Sequence, residues 1–194
     1  MSGTGSQQRA PVASRPTADD AFRLARRIWF AGGRVDMSAL AVELGVGRVT
    51  LYRWLGSREK LLVEVVWSMG RKLLDHVEAQ VHATGGDRIV EVIVGFLDGV
   101  IRSPAMRAWL RDEGEYAMRL LTRHHTGFQP RLIDAVQELL EREQAAGALD
   151  VPVDLHELAY VIVRLIESYT YLDLITGEEP DARRAEPILR MLLR

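Results

Sequence analysis

The sequence contains no cysteine, and this absence excludes two kinds of structure. None of the 194 residues can form a disulfide or supply a thiolate ligand to a metal. A chain without cysteine also fits the reducing cytoplasm. We therefore expect a cytoplasmic protein, and no pattern in the sequence predicts a metal or a cofactor.

Long apolar runs are a second absence. No segment approaches the roughly 18 uninterrupted apolar residues that span a bilayer, so we expect no membrane segment. Residues 1–16 are rich in Ser, Gly, Gln and Pro and lack the apolar stretch of a signal peptide. This composition predicts a flexible arm.

Catalytic motifs are a third absence. None of the five histidines belongs to a Glu-x-x-His pair, and the chain has no His-Glu-x-x-His, phosphate-binding loop or Gly-x-Ser-x-Gly. The adjacent His124 and His125 lie in a polar stretch that is typical of solvent-exposed histidines. We predict a protein that is not an enzyme, with a helical-bundle enzyme as an alternative.

Helical apolar spacing, in contrast, runs through nearly the whole chain. Breaks at glycine, proline and capping residues divide it into about nine helices, including a short one near residues 48–54 and a long one over residues 154–176. Asp87 is a predicted helix start. We predict an all-α fold in which a long fourth helix joins a three-helix domain, residues 17–62, to a helical body, residues 63–194.

The net charge of −2 conceals an asymmetry along the chain. Residues 1–60 contain 10 Lys and Arg against 5 Asp and Glu, whereas residues 61–194 contain 15 against 22. A basic first part on an acidic body suggests that the N-terminal part meets a polyanion. Charge alone does not establish this, because chains without a nucleic-acid role can partition charge to the same extent.

Residues 37–54 carry the pattern of a helix-turn-helix. Gly45 lies between two short helical segments, where positive φ lets the chain change direction at no steric cost. The apolar residues that would join the two helices are Leu40, Leu44, Val46, Leu51 and Trp54. The second helix would keep a polar, basic outer face, for which a plain helical hairpin has no use.

The exposed positions of that second helix suit duplex DNA. Arg can pair with guanine through two hydrogen bonds, a Thr or Val methyl can meet thymine, and Tyr or Arg can hold phosphate. The outward positions are Gly47, Arg48, Val49, Thr50, Tyr52 and Arg53.

This region resembles the TetR family of transcriptional regulators. Residues 51–62, LYRWLGSREKLL, are similar to the signature of that family, and residues 30–33 match the Phe-x-x-Gly that ends its first helix. Three positions depart from the signature: Leu55 replaces Phe, Gly56 replaces Pro and Arg58 replaces Lys. The first concerns packing, and the last retains the positive charge.

The resemblance implies a DNA-binding repressor, usually a homodimer on a palindromic operator, that a small molecule releases by binding in a C-terminal ligand-binding and dimerisation domain. By position it implies base contacts from Arg48, Val49 and Thr50. Phosphate contacts are implied for Ser38, Tyr52, Arg53 and Arg58, the last at a helix N-terminus that favours a phosphate. Arg9 and Arg15 could touch the minor groove, although a solvated tail explains both more simply.

The body contains candidates for a ligand pocket. Large apolar and aromatic side chains gather near its middle, at Phe96, Met106, Trp109 and Tyr116. Apolar pockets use such residues, but ordinary core explains each of them more simply.

The helix over residues 154–176 carries a polar stripe on an otherwise apolar surface. Tyr160, Arg164, Glu167 and Tyr171 fall on one side at 100° per residue. Because so apolar a helix would be covered on most sides, we expect Arg164 and Glu167 to be desolvated and paired. The pair could be a structural salt bridge, a polar seam in a dimer interface, or a pocket wall that binds a polar ligand head.

This helix and the following GEEPDARRAEPILRMLL resemble the C-terminal domain of quorum-quenching TetR-family repressors of the QsdR type. That resemblance implies a lactone-like effector with its carbonyl near Arg164 or Tyr171 and its tail in the core. The short final helix predicts a modest dimer contact. The alternative is a helical adaptor or ligand-binding protein of the same fold without DNA binding, against which the basic face of residues 48–58 argues.

Overall fold

The structure, a computed structural model, describes residues 15–194. Its ten helices are α1 (Ala18–Phe30), α2 (Met37–Glu43), α3 (Arg48–Leu55), α4 (Arg58–Gln80), α5 (Gly85–Arg102), α6 (Pro104–Thr122), α7 (Phe128–Ala145), α8 (Leu155–Thr170), α9 (Leu172–Thr176) and α10 (Glu186–Leu192). Two 3₁₀ turns are His124–Thr126 and Ala182–Arg184, and no strand occurs within residues 15–194. The all-α prediction is confirmed. The predicted arm, with Arg9, falls almost wholly outside the described residues, and Arg15 is exposed.

Several helices begin at a capping side chain that the sequence displays. Thr17 and Asp20 form the capping box of α1, in which Thr17 N–H donates to Asp20 Oδ2 at 2.9 Å. Asp36 accepts from two backbone N–H groups of α2, both at 2.9 Å. Ser57 and Ser103 each accept from one backbone N–H of α4 and α6. These bonds satisfy donors that a helix N-terminus leaves free, so the helix starts are locally encoded.

Two helix boundaries differ from the prediction. α5 begins at Gly85 rather than Asp87, because the buried Glu143 of α7 accepts from Gly85 N–H at 2.7 Å and so supplies a cap from elsewhere in the chain. The predicted helix over residues 154–176 is divided at Tyr171, whose φ of −105° and ψ of 17° separate α8 from α9. This division gives ten helices where about nine were predicted.

Glycines shape both ends of α3. Gly45 has a φ of +64°, and the N–H groups of Gly45 and Val46 donate to the carbonyls of Val42 and Ala41 at 3.1 and 3.0 Å. This pair of bonds is the Schellman arrangement that ends α2. Gly56, between α3 and α4, has a φ of 72° and a ψ of −129°, a combination that only glycine adopts readily.

Two hydrophobic cores meet along α4 and α6. The first joins α1, α2, α3 and the beginning of α4 with α6. The second joins the end of α4 with α5, α7, α8 and α10. α6, which the sequence places in the body, therefore packs against the helix-turn-helix helices, and it bends at Glu113, where φ is −138° and ψ is 36°.

Candidate nucleic-acid interface and ligand cavity

α3 stands out from the surface with a basic face. Leu51 is its one fully buried side chain, while Val49 is 82% exposed and Tyr52 is 49% exposed. The other predicted positions are also exposed or half-buried: Gly47, Arg48, Thr50 and Arg53. A short helix held from one side in this way has the shape that enters a DNA major groove.

Ser38 has a less favourable setting for a phosphate. It is half-buried in the first turn of α2, and its N–H donates to Asp36 Oδ1 at 2.9 Å. The hydrogen bond from Ala39 N–H lowers the pKa of the Asp36 carboxyl, so a negative charge sits beside the Ser38 hydroxyl. A nearby carboxylate opposes a phosphate contact.

Arg58, which was predicted to contact phosphate, has its side chain bound to other parts of the protein. Its side chain is 22% exposed, and its Nη2 lies 2.6 Å from Glu113 Oε2 in an ion pair. Its Nε donates to the Val35 carbonyl at 2.7 Å, and its guanidinium lies 5.0 Å from the ring centre of Tyr116. The guanidinium is therefore bound within the protein in this structure, and a phosphate contact would require it to leave Glu113.

Glu113 is the centre of a polar cluster at the bend of α6. Besides Arg58, it forms an ion pair with Arg34 at 3.0 Å and accepts from Trp109 Nε1 at 3.2 Å. Burial acts to raise the pKa of Glu113, but the bonds from Arg58 and Trp109 and the charge of Arg34 outweigh it, so the pKa is lowered. The ionised carboxylate thus joins α6 to the start of α4 and to the α1–α2 loop.

Lys60 is a cation that the sequence reasoning missed. It is exposed in the first turn of α4, and within residues 15–194 it forms no ion pair. A Cβ built at Gly56 would lie 2.9 Å from Lys60 Cδ, so the lysine stem runs against the end of α3. The only local signal was its charge two positions after Arg58.

An apolar cavity of about 290 Å³ lies where the two cores meet. Of the predicted pocket residues, Phe96, Met106, Glu167 and Tyr171 line it. Apolar side chains of α4, α5, α7 and α8 supply most of the remaining wall, among them Val66, Met69, Leu73, Val100, Leu132 and Ile166.

The other three predicted pocket residues, Trp109, Tyr116 and Arg164, do not line this cavity. Trp109 packs edge-on against Trp29 with ring centres 6.1 Å apart and donates to Glu113. Tyr116 lies between the guanidinium groups of Arg58 and Arg119, at 5.0 and 5.3 Å from its ring centre. Both face the cluster around Glu113.

The third, Arg164, is ion-paired with Glu167, but the two differ in burial. The Arg164 side chain is 47% exposed and that of Glu167 is 8% exposed, so only Glu167 is desolvated as expected. Burial raises the pKa of Glu167 despite the opposing charge of Arg164 and a hydrogen bond from Gln129. The predicted polar stripe of α8 is thus divided: Tyr160 and Arg164 face solvent, while Glu167 and Tyr171 face the cavity.

α1 contributes to the cavity wall, which the sequence did not predict. Arg26, Trp29 and Phe30 all line it. The spacing of Trp29 indicated a core position, but nothing in the sequence identified the distant helices that it would face. Arg26 Nε and Trp29 Nε1 are buried nitrogens without a hydrogen-bond partner in the described part of the chain.

An exposed basic helix after a glycine turn, carried on a helical body, defines the class of helix-turn-helix transcriptional regulators. Among residues 15–194, no helix is both long and apolar enough to cross a membrane. Residues 84–194 match the model of the tetracyclin repressor-like C-terminal domain. The chain therefore belongs to the TetR family of transcriptional regulators, a family that binds DNA and is not enzymatic.

Individual relatives agree with this assignment. The chain is 26% identical over 179 residues to the HTH-type transcriptional regulator BetI of Agrobacterium fabrum, which covers 81% of this chain and 86% of BetI. Its structure is similar to that of the R. erythropolis TetR-family transcriptional repressor QsdR, with 26% identity, a TM-score of 0.83, and 91% and 93% of the two chains covered. The fatty acid degradation regulator FadR from Bacillus halodurans, 15% identical with a TM-score of 0.58 over 94% and 96% of the chains, shares the fold.

Proposed function

We propose that the protein is a repressor that binds a palindromic operator as a homodimer and is released by a small molecule in the cavity. One observation carries this proposal. Only two residues separate α4 from the recognition helix α3, and Val66, Met69 and Leu73 of α4 line the cavity. A ligand there touches the helix that positions the DNA-reading surface.

The proposed DNA contacts divide into base readers and phosphate anchors. Arg48, Val49 and Thr50 would meet base edges, because they lie at the N-terminal end of α3, which enters the groove first in this motif. Tyr52 and Arg53 would hold phosphates. Lys60 replaces Arg58 as the cation at the start of α4, since Arg58 is bound to Glu113.

The proposed switch requires unequal ligand affinity for two arrangements of the domains. A ligand that bound both arrangements equally would shift neither. Filling the cavity pushes on α4 near its middle, and a small tilt there moves α3 relative to its partner in a dimer. Two recognition helices that are misplaced by a few ångströms cannot both enter successive major grooves.

A lactone-like molecule is the proposed effector. The QsdR-type resemblance of the C-terminal domain supports this class, and so does a cavity close to the lower end of the usual range of about 300–1,000 Å³ for ligand sites. The site has apolar walls with a few polar groups, which suits a short alkyl chain on a compact polar ring. We propose that residues 17–62 bind DNA and that residues 63–194 bind the ligand and form the dimer.

The decisive test is binding to the DNA that flanks the protein's own gene. Fluorescence anisotropy should show tight binding by the wild type and a loss of about 1–3 kcal/mol for Arg48→Ala at one base pair, with little change on unrelated DNA. Arg183→Ala is the matched control, because Arg183 is exposed, lies far from α3 in the sequence and, among residues 15–194, forms an ion pair only with Asp181. If the wild type and both variants bound the flanking DNA and unrelated DNA equally weakly, the protein would be an adaptor that does not recognise an operator.

A further inference from the structure

We infer that α1, a helix of the DNA-binding domain, supplies hydrogen-bond donors to the effector: Trp29 Nε1–H and the guanidinium of Arg26 bind the acceptor oxygens of an amphipathic ligand. Its apolar chain fills the rest of the cavity. This inference rests on the proposed function of the cavity as the effector site.

Trp29 provides the first observation. Its side chain is 3% exposed, it lines the cavity, and its Nε1 has no partner in the described residues. Buried N–H groups are nearly always paired, so an orphaned one marks a site where an acceptor is missing. Trp109 makes a useful comparison, because its Nε1 already donates to Glu113.

A second cavity beside Trp29 does not account for the orphaned group. That space, of about 280 Å³, is bordered by Trp109 and Glu113, whose polar atoms pair with each other and with Arg34 and Arg58. The Glu113 carboxylate already accepts from Trp109 and is ion-paired with Arg34 and Arg58. In the first cavity, Glu167 Oε1 accepts from Gln129, and Glu167 Oε2 is ion-paired with Arg164 but has no hydrogen-bond partner in the described residues, so neither oxygen accepts from Trp29.

Arg26 provides the second observation. It is half-buried at the cavity wall, its Nε lacks a partner, and it forms no ion pair within residues 15–194. Arg23 on the same helix pairs with Asp19 and Asp20. Lys72 of α4 also lines the cavity, and the single acid there, Glu167, is paired with Arg164.

These charges select the chemistry of the ligand. Within residues 15–194 the wall holds the half-buried Arg26 and the exposed Lys72, neither in an ion pair, and one unpaired indole donor. It therefore favours a group that accepts hydrogen bonds and disfavours a cation. Because the rest of the wall is apolar, the ligand needs a hydrocarbon chain as well. Lactones and carboxylates with a medium-length chain share these features.

Contact with α1 also changes how the ligand would act. A molecule that bonds to α1 while its chain packs on α5, α7 and α8 fixes the position of α1 against the body. The effector would then bias the DNA-binding domain directly, in addition to any movement of α4.

The test uses three probes and four variants in isothermal titration calorimetry. The probes are γ-decalactone, its ring-opened form 4-hydroxydecanoate, and hexylcyclopentane, which keeps the ring size and the chain but contains no oxygen. The variants are Trp29→Phe and Arg26→Gln, with Trp109→Phe and Arg27→Gln as matched controls. Arg27 neighbours Arg26 on α1, is exposed and does not line the cavity.

Each loss of a donor should weaken the oxygen-bearing probes about tenfold, the usual effect of one hydrogen bond to a ligand. The control variants should bind as the wild type does, and the oxygen-free probe should bind all of the proteins with the same affinity. A larger effect of Arg26→Gln on 4-hydroxydecanoate than on γ-decalactone would identify the carboxylate as the preferred head group, and the reverse would identify the lactone.

Two results would overturn the inference. One is equal affinity of the wild type, Trp29→Phe and Arg26→Gln for γ-decalactone and 4-hydroxydecanoate. The other is failure of the wild type to bind either probe. Operator binding without any probe is measured on the same preparations, so loss of ligand recognition is separable from failure of the proposed DNA binding. Circular dichroism checks that Trp29→Phe folds. If that variant does not fold, Arg26→Gln still tests the inference, because Arg26 is partly exposed.

Discussion

At the scale of single residues, three cations near the end of α3 differ in what they are free to bind. Arg53 and Lys60 are exposed, whereas Arg58 is held by Glu113 and Val35. Each phosphate contact contributes about 0.9 to the slope of log K against log salt. We predict that Arg53→Gln and Lys60→Gln each reduce this slope by about 0.9 and that Arg58→Gln does not. A salt series of anisotropy titrations measures it.

Arg58→Gln should reduce stability instead. Removing it leaves the Glu113 carboxylate, whose side chain is 17% exposed, without the Arg58 Nη2 group that donates to both of its oxygens. Losing a hydrogen-bonded charge in such a place costs about 1–3 kcal/mol, which chemical denaturation can detect. A stable Arg58→Gln with a flattened salt slope would restore Arg58 as a phosphate contact.

The pH dependence of Glu167 gives a second residue-scale prediction. Burial raises its pKa above the usual 4.5, so folding favours the protonated carboxyl. Its contribution to stability is complete below the unfolded pKa and is lost as pH rises through the folded pKa. Glutamine carries no charge, so Glu167→Gln does not lose stability in this way as the pH rises. The melting temperature of the variant minus that of the wild type should therefore increase from pH 4.5 to pH 8. A constant difference across that range would contradict the buried position of Glu167.

The site residues show why a sequence predicts some contacts and not others. The Arg164–Glu167 pair was predictable because residues three apart on a helix are neighbours. The partner of Arg58 was not, because Glu113 lies 55 positions further along the chain. The same limit hid the place of Trp29 in the cavity wall. Local periodicity predicts that a side chain is buried but not what it faces.

At the scale of helices and turns, prediction succeeded where the signal was local. Capping residues and glycines located the starts and ends of α1, α2 and α3, because their hydrogen bonds involve residues two to five positions away. The start of α5 was missed because its cap, Glu143, lies 58 positions from Gly85. Nor did any local signal predict the bend of α6 at Glu113, where ion pairs from α4 and from the α1–α2 loop converge.

The loop between α3 and α4 yields a prediction at this scale. Gly56 has a φ of 72°, whereas proline, the residue of the family signature at this position, fixes φ near −65°. The loop therefore takes a conformation that the usual residue could not. Gly56→Ala should cost about 1–3 kcal/mol in unfolding free energy, because residues with a Cβ rarely adopt this backbone conformation. The new Cβ would lie 2.9 Å from Lys60 Cδ, but the exposed lysine side chain can move aside.

Gly45→Ala is the matched comparison for that change. Gly45 also has positive φ, but a Cβ there meets nothing within 4 Å. Its cost should be limited to the left-handed conformation itself, roughly 1–2 kcal/mol. If urea titrations showed Gly56→Ala to be the milder of the two, the loop geometry derived from Gly56 would be wrong.

At the scale of the whole molecule, the cavity lies where it can influence DNA binding by more than one route. α4 follows the recognition helix directly, α6 is joined to the start of α4 through Glu113, and α1 lines the cavity itself. A ligand there touches parts of both hydrophobic cores. Because packed cores shift between discrete arrangements and do not deform continuously, the proposed switch needs only a small displacement at this junction to move α3.

Dimerisation is the remaining requirement of the proposed mechanism, and it has its own prediction. Tyr160 and Val161 on α8 and Met191 on α10 are 44%, 39% and 66% exposed, an arrangement expected if these helices cover each other across a two-fold axis. Light scattering should give a dimer at micromolar concentration. Val161→Lys should weaken the dimer and lower affinity for a palindrome whose half-sites lie about one helical turn, or a multiple of it, apart. It should leave affinity for an isolated half-site unchanged, because each α3 is intact and only the gain from linking two sites is lost.

Val153→Lys, which changes an exposed valine outside these helices, is the control. A monomeric wild type, or a monomeric Val161→Lys that binds the full palindrome as tightly as the wild type does, would show that operator recognition does not depend on this face.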